Sequence, residues 1–253
     1  MRISISGSAN QGKSTLVGDF IKEWSNYKTS DFDYRSLIKE KKLQYNKSCN
    51  KEGQWAILNG MLDDLQKYSK DDNIIFDRSP WDCLVYSMWA EEKGISDIDK
   101  EFINKMIPLV KESMKFLDIM FFVPKTKLSQ IPIIEDGLRE IDPVYIEEID
   151  NIFKAMVYQY HHHFGKNTFF PSEDCPAIIE VFGNQEERIH LIRQYLDTEG
   201  KIIGEEGDQI LNPQNLEQLE QLLSDQKDQH NKEKFEKQQI NMLKQFVQST
   251  KSA

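Results

Sequence analysis

The chain has 253 residues, of which 39% are hydrophobic and 29% charged, a length and composition that suit a buried core and exclude a disordered segment. Lys and Arg number 32 against 42 Asp and Glu, a formal charge of -10, which disfavours a sequence-independent grip on nucleic-acid phosphates. Cys49, Cys83 and Cys175 are far apart, so neither a disulfide framework nor a zinc-type cysteine pair is expected.

Met1 to Ser6 alternates like a strand, a Gly-containing loop follows, and Leu16, Val17, Phe20, Ile21 and Trp24 recur at helical spacing. Short β-rich runs return at Lys28 to Phe32, Asn73 to Phe76, Leu117 to Val123 and Ala177 to Phe182, each separated by helical patterns. Trp55, Leu58, Leu62 and Leu65 mark one helix face, Leu84, Val85, Met88 and Trp89 another, and Phe102, Met106, Leu109 and Val110 a third. Asp142 and Pro143 read as the cap and first turn of a helix reaching Tyr160, and a last helix is expected from Gln185 to Leu196. The pattern predicts an α/β domain over residues 1–196, with about five mainly parallel strands and helices on both faces.

Beyond Thr198, an acidic cluster at Glu205, Glu206 and Asp208 precedes a Gln-rich pattern with Leu216, Leu219, Leu222 and Leu223. Residues 197–253 are predicted to be an acidic, Gln-rich helical appendage. The longest apolar run, Ile119 to Val123, is far too short to span a membrane, and the opening residues lack a signal-peptide core. A cytoplasmic protein is expected.

Gly7-Ser8-Ala9-Asn10-Gln11-Gly12-Lys13-Ser14, followed by Thr15, fits the spacing Gly, four residues, Gly-Lys-Ser between a predicted strand and a predicted helix. The glycines let backbone N–H groups face phosphate oxygens, Lys13 reaches the β- and γ-phosphates, and the Ser14 hydroxyl suits magnesium. This is the Walker A pattern of a nucleotide-phosphate site, with a merely flexible Gly-Ser loop as the alternative.

Ile74-Ile75-Phe76-Asp77-Arg78 places a carboxylate and a guanidinium where a buried strand ends, the ligand-binding end of an open α/β sheet. Asp77 there is a candidate to hold magnesium through water or to orient an attacking hydroxyl, and Arg78 to clamp phosphate, with a strand-end ion pair before a Pro-initiated helix as the alternative. Asp33, with Asp31 as the weaker choice, is a candidate acceptor of a substrate proton, and Phe32, Tyr34 or Trp55 a candidate base-stacking ring. Arg139, beside Gly137, reads either as a swinging cation or as an exposed surface-loop arginine, and nothing in the residues alone selects between them. Asn184 and Arg188, after the last strand, sit at the expected edge for a nucleotide base, where a turn and helix cap explain the same residues. His161, His162 and His163 cannot all face one metal, since helix neighbours point about 100° apart.

The combination of Gly7 to Thr15, Asp77 to Asp82, Asp136-Gly137-Leu138-Arg139 with Asp142 and Asp150, and Gly183 to Arg188 resembles the P-loop nucleoside and nucleotide kinases. It is similar to thymidylate and deoxynucleoside kinases, more closely to the ATPases grouped with the nicotinamide riboside kinase domain, and in layout to many phage-encoded nucleotide kinases. The resemblance covers about residues 1–196. It implies a three-layer P-loop NTPase fold, ATP and magnesium as cofactors, and γ-phosphoryl transfer to a small-molecule nucleoside or nucleoside monophosphate. It further implies that Lys13, Asp77, Arg78 and Arg139 are catalytic, that Ser14 and Asp77 serve the metal, that Gly183 to Arg188 lie near adenine, and that a homodimer is possible.

Asp31-Phe32-Asp33-Tyr34-Arg35 departs from the Glu-Pro type signature of thymidylate kinases, which argues against thymidylate as acceptor. Two alternatives stand beside a free nucleoside or nucleotide. One is a kinase of a modified base in DNA, disfavoured by the charge and by the lone basic cluster Lys39, Lys41 and Lys42. The other is an ATP-binding switch or assembly module that uses the tail.

Overall fold

In the computed structural model, which describes residues 1–127, 140–162 and 168–204, the Ile-Ser alternation becomes β1 (Arg2–Ser6), and every residue of it is buried. A central parallel strand is covered on both faces, so the serines are interior too. Their small side chains leave room for Ser6 Oγ to lie 3.0 Å from Ser79 Oγ.

β2 (Lys28–Thr29), β3 (Ile74–Asp77), β4 (Ile119–Phe122) and β5 (Ala177–Glu180) complete a sheet of order β2-β3-β1-β4-β5. Each pairing is parallel, so the expected mainly parallel sheet is wholly parallel. β2 is two exposed residues at an edge, shorter than the predicted Lys28 to Phe32, because the chain there turns into a helix. The winding reverses at β1, which opens a crevice at the carboxyl ends of the central strands.

Seven α-helices stand among the described residues: α1 (Lys13–Glu23), α2 (Tyr34–Lys41), α3 (Lys51–Leu65), α4 (Pro80–Lys93), α5 (Lys100–Ser113), α6 (Pro143–His162) and α7 (Gln185–Ile192). Local chemistry sets their starts. Asn50 accepts from Gly53 N at α3, Asp99 from Phe102 N at α5, and Ser79 with Asp82 forms a reciprocal capping box at α4, each satisfying donors that a helix start leaves open. α7 ends at Ile192, short of the predicted Leu196, although Leu196 is buried.

The larger core lies between the sheet and α3 to α6. Trp81, fully buried, sets its ring edge-on to Phe153 at 4.8 Å and to Phe122 at 6.0 Å, and burying each such ring contributes about 1.5–3 kcal/mol. On the opposite face α1 packs on α7, and Arg193 grips Glu23 with two bonds of 2.7 and 2.8 Å. Met1–Gly200 is one compact unit, joined at its end by Trp24 Nε1 donating to Asp197 O and Tyr27 Oη to Gly200 O. No described helix is long and apolar enough to cross a membrane. The predicted helical appendage lies, from residue 205 onward, outside the described residues.

Candidate nucleotide and acceptor site

Gly7 to Thr15 wraps between the end of β1 and the first turn of α1. Gly7 has φ 145°, and a Cβ there would lie 2.6 Å from the Val123 carbonyl oxygen, so only glycine fits the approach to the end of β4. Gly12 and Asn10 adopt the left-handed region, at φ 71° and 57°, curling the loop's N–H groups inward as an anion cradle requires.

The loop is held from several elements. Asp82 Oδ1 on α4 accepts from Gly7 N at 3.4 Å, Ser8 Oγ donates to buried Asp150 on α6 at 3.3 Å, and Arg188 Nη1 on α7 donates to Gln11 O at 2.6 Å. Asn10 Nδ2 donates to Glu140 O at 2.8 Å. Lys13 is buried, and its ammonium donates to the Ser8 carbonyl across the loop. Burial first, and then the Arg78 cation, lower its pKa to about 7.

Where β3 ends, Asp77 faces α1, and the Ser14 hydroxyl donates to Asp77 Oδ2 at 2.6 Å. Arg35 Nη1 lies 4.0 Å from the same oxygen. A hydroxyl and a carboxylate so close form a hard oxygen pair of the kind magnesium uses, with phosphates and water completing its shell. The donor set therefore fits that ion.

Arg78 has φ 87°, an uncommon conformation for a non-glycine residue and one that collects at functional sites. Its amide donates to Ile5 O at 3.0 Å, and its Nη1 donates to Asp82 Oδ1 at 2.8 Å. The guanidinium carbon lies 5.1 Å from the Tyr34 ring centroid and 5.5 Å from that of Tyr86, both within cation–π range.

A cleft open to solvent adjoins the loop and is bordered by α2, α3 and α4. Besides the loop residues, it is lined by Tyr34, Tyr45, Gln54, Ile57, Met61 and Tyr86. Burial pushes the Tyr86 phenol up to about 12, so it is a neutral hydroxyl there. This lining is apolar and aromatic with a few amide and hydroxyl groups, the composition of a pocket for a planar heterocycle.

Among the predicted site residues, Ala9 to Thr15, Tyr34 and Arg78 line this cleft, with Asp77 on Ser14 at its edge. Asp33 is placed differently. It is the N-cap of α2, accepting from Arg35 N at 2.9 Å and Ser36 Oγ at 2.6 Å, so its carboxylate is engaged in capping. Trp55 packs on Phe102 at 5.7 Å, and Phe32 lies against Gly60. Asn184 is the exposed cap of α7, paired reciprocally with Glu187, whereas Arg188 is buried beneath the P-loop. His161 and His162 are exposed, and among the described residues no group of three or more His, Cys, Asp or Glu is placed to hold a metal. Arg139 and His163 lie outside the described residues.

Sequence reasoning missed Tyr45, Gln54 and Tyr86. Tyr86 stands one helical turn after Asp82 and beside Leu84 and Val85, where it reads as core. Gln54, at 5% exposure, carried a weak signal: an uncharged polar residue next to the apolar face of α3.

Residues 2–166, well over half of the chain, match a family model described as AAA domain. No curated protein matches the sequence. Among solved structures, NadR in complex with NR superposes with a TM-score of 0.54 at 18% identity, over 79% of this chain and 52% of that one. NadR in complex with NAD and AMP-PNP gives 0.51 at 16%, over 79% and 50%, so this chain spans about half the length of the NadR proteins. Deoxyadenosine kinase from M. mycoides, with products dCMP and dCDP, gives 0.53 at 16%, over 77% of this chain and 97% of that one. At such identities the likeness is one of fold, and the fold is that of P-loop nucleoside and nucleotide kinases. With its Walker A loop on the β1–α1 turn and a family match over most of the compact unit, the chain belongs to the AAA domain family of P-loop proteins.

Proposed function

We propose that this protein is a magnesium-dependent kinase that moves the γ-phosphoryl group of ATP to the hydroxyl of a nucleoside, or to the phosphate of a nucleoside monophosphate. The observation that carries the reading is a single continuous cleft. Its lining includes both the phosphate loop, with Lys13 and with Ser14 bonded to Asp77, and the tyrosines Tyr34, Tyr45 and Tyr86.

The loop's N–H groups and Lys13 bind the ATP phosphates and stabilise charge that spreads over the transferring group. Ser14 and Asp77 would hold magnesium, which would add neutralisation of phosphate charge. Arg78, paired with Asp82 and near the Tyr34 and Tyr86 rings, lines the same cleft, and its proposed role is to supply a cation to the transferring group. Tyr34, Tyr45 and Tyr86 enclose the base, and Gln54 offers it an amide. Catalysis is then positioning and electrostatics, with no covalent intermediate on the protein. Arg139 keeps its proposed role as a cation over the phosphoryl group. Asp77, adjacent to the P-loop, is preferred to the helix-capping Asp33 as the working carboxylate.

The test is consumption of ATP by the purified protein with magnesium, screened against nucleosides, nucleoside monophosphates, nicotinamide riboside and modified DNA. Stimulation by one small-molecule acceptor, lost in Asp77→Asn, supports the reading. Stimulation by modified DNA alone favours the DNA-kinase alternative, and ATP binding with no acceptor effect favours a switch or assembly module.

A further inference from the structure

Arg188 is 2% exposed, yet among the described residues no carboxylate pairs with it, and its Nε has no hydrogen-bond partner. Desolvation alone shifts its pKa, and downward. An unpaired buried cation is expensive to maintain. Its one strong bond is unusual in target: Nη1 donates at 2.6 Å to the carbonyl of Gln11, inside the phosphate loop. That carbonyl shares a peptide unit with the N–H of Gly12, whose left-handed conformation, φ 71°, belongs to the anion cradle. A cation on the oxygen of a peptide draws electron density from its nitrogen, and so makes the N–H a stronger donor, as in any polarised hydrogen-bond chain.

Building on the nucleotide-binding reading above, we propose that Arg188 is a positioning residue and a built-in counter-charge for bound polyphosphate. It acts from behind the loop through the Gln11–Gly12 peptide and does not contact the base. Among the described residues the guanidinium is a buried charge with no carboxylate partner. A polyphosphate in the loop supplies the missing negative charge, one peptide unit away. Gln11 keeps that peptide in place, its own amide folded back onto Ala9 O at 3.1 Å. The ligand class recognised through Arg188 is therefore the polyphosphate chain, whatever base it carries.

The experiment measures binding of ATP and of inorganic triphosphate to the full chain by calorimetry, with wild type, Arg188→Met and Arg188→Lys. The expected result is a loss of about tenfold or more for both ligands in Arg188→Met, with the melting temperature of the empty protein not lowered, and substantial recovery in Arg188→Lys. Equal binding by wild type and Arg188→Met overturns the proposal. So does a loss for ATP with none for triphosphate, which would mean a contact to the base. Lysine no better than methionine overturns it as well. If Arg188→Met does not fold, Arg188→Gln, which removes the charge and keeps an N–H for the carbonyl, reads the same quantity: weaker triphosphate binding supports the role and unchanged binding overturns it. Wild type that binds neither ligand sinks the nucleotide-binding reading itself, and the role of Arg188 with it, an outcome distinct from equal binding by both proteins.

Discussion

The Ser14 hydroxyl donates to Asp77 Oδ2 across 2.6 Å, so the first turn of α1 and the end of β3 meet at a single oxygen-lined point. Neither residue is needed to hold the core. Ser14→Ala and Asp77→Asn are each expected to lower phosphoryl transfer by a factor on the order of 100 or more, while shifting the melting temperature little. Steady-state assays across a magnesium titration, alongside thermal melts, check both halves of that expectation.

Arg78 and Asp82 behave as a buried unit, with side chains 12% and 2% exposed and 2.8 Å between Nη1 and Oδ1. Arg78→Met leaves the Asp82 carboxylate without its cation, and breaking such a pair from one side costs about 3–5 kcal/mol. Urea denaturation should show that loss. Arg78→Lys keeps a charge but not the delocalised guanidinium near the Tyr34 and Tyr86 rings, so transfer should fall even where stability partly returns.

Lys13 yields a pH prediction with a definite sign. Its pKa is lowered by burial from 10.5 to about 7 in the empty protein, so between those values the unfolded chain binds more protons than the folded one. Stability from this group therefore rises as pH increases through that window, by at most roughly 1.4 kcal/mol per pH unit. Melts of the empty protein from pH 7 to pH 9, compared with Lys13→Met, should show the upward slope reduced in the variant.

Gly7 sits where a Cβ would lie 2.6 Å from Val123 O, at φ 145°. Gly7→Ala should destabilise by about 2 kcal/mol or more and displace the loop from the end of β4. Loss of ATP binding with a lowered denaturation midpoint is the expected pair of results.

Gln54 lines the same cleft as the phosphate loop, among the residues proposed to hold the acceptor. Gln54→Leu should raise the KM for the acceptor about tenfold, since a base that has lost an amide partner leaves polar groups unsatisfied. The KM for ATP should stay within about twofold. A matched rise in both would place Gln54 outside base recognition.

The strand-loop-helix unit around Lys13 and the β3 terminus at Asp77 were legible in the sequence, because Walker A spacing and short apolar runs are local signals. α2 was not, although Asp33 followed by Tyr34, Leu37 and Ile38 carries a cap and a helical stripe. The same carboxylate suits chemistry and capping alike in the sequence, and in the fold it caps α2. Tyr45, Gln54 and Tyr86 come from three separate segments, and only the packing of α3 against α4 shows that they share a cleft. The bonds of Ser8 to Asp150 and of Arg188 to Gln11 span 142 and 177 residues. No local pattern encodes which buried arginine reaches which carbonyl.

The central claim is that one cleft holds ATP at the P-loop and a nucleoside-type acceptor among the tyrosines. The most direct test is transfer of labelled phosphate from γ-labelled ATP to each candidate acceptor, run with wild type and Asp77→Asn. The account predicts label on a nucleoside or nucleoside monophosphate with wild type and almost none with the variant. Label found only as free phosphate, at a rate no acceptor changes, would contradict it.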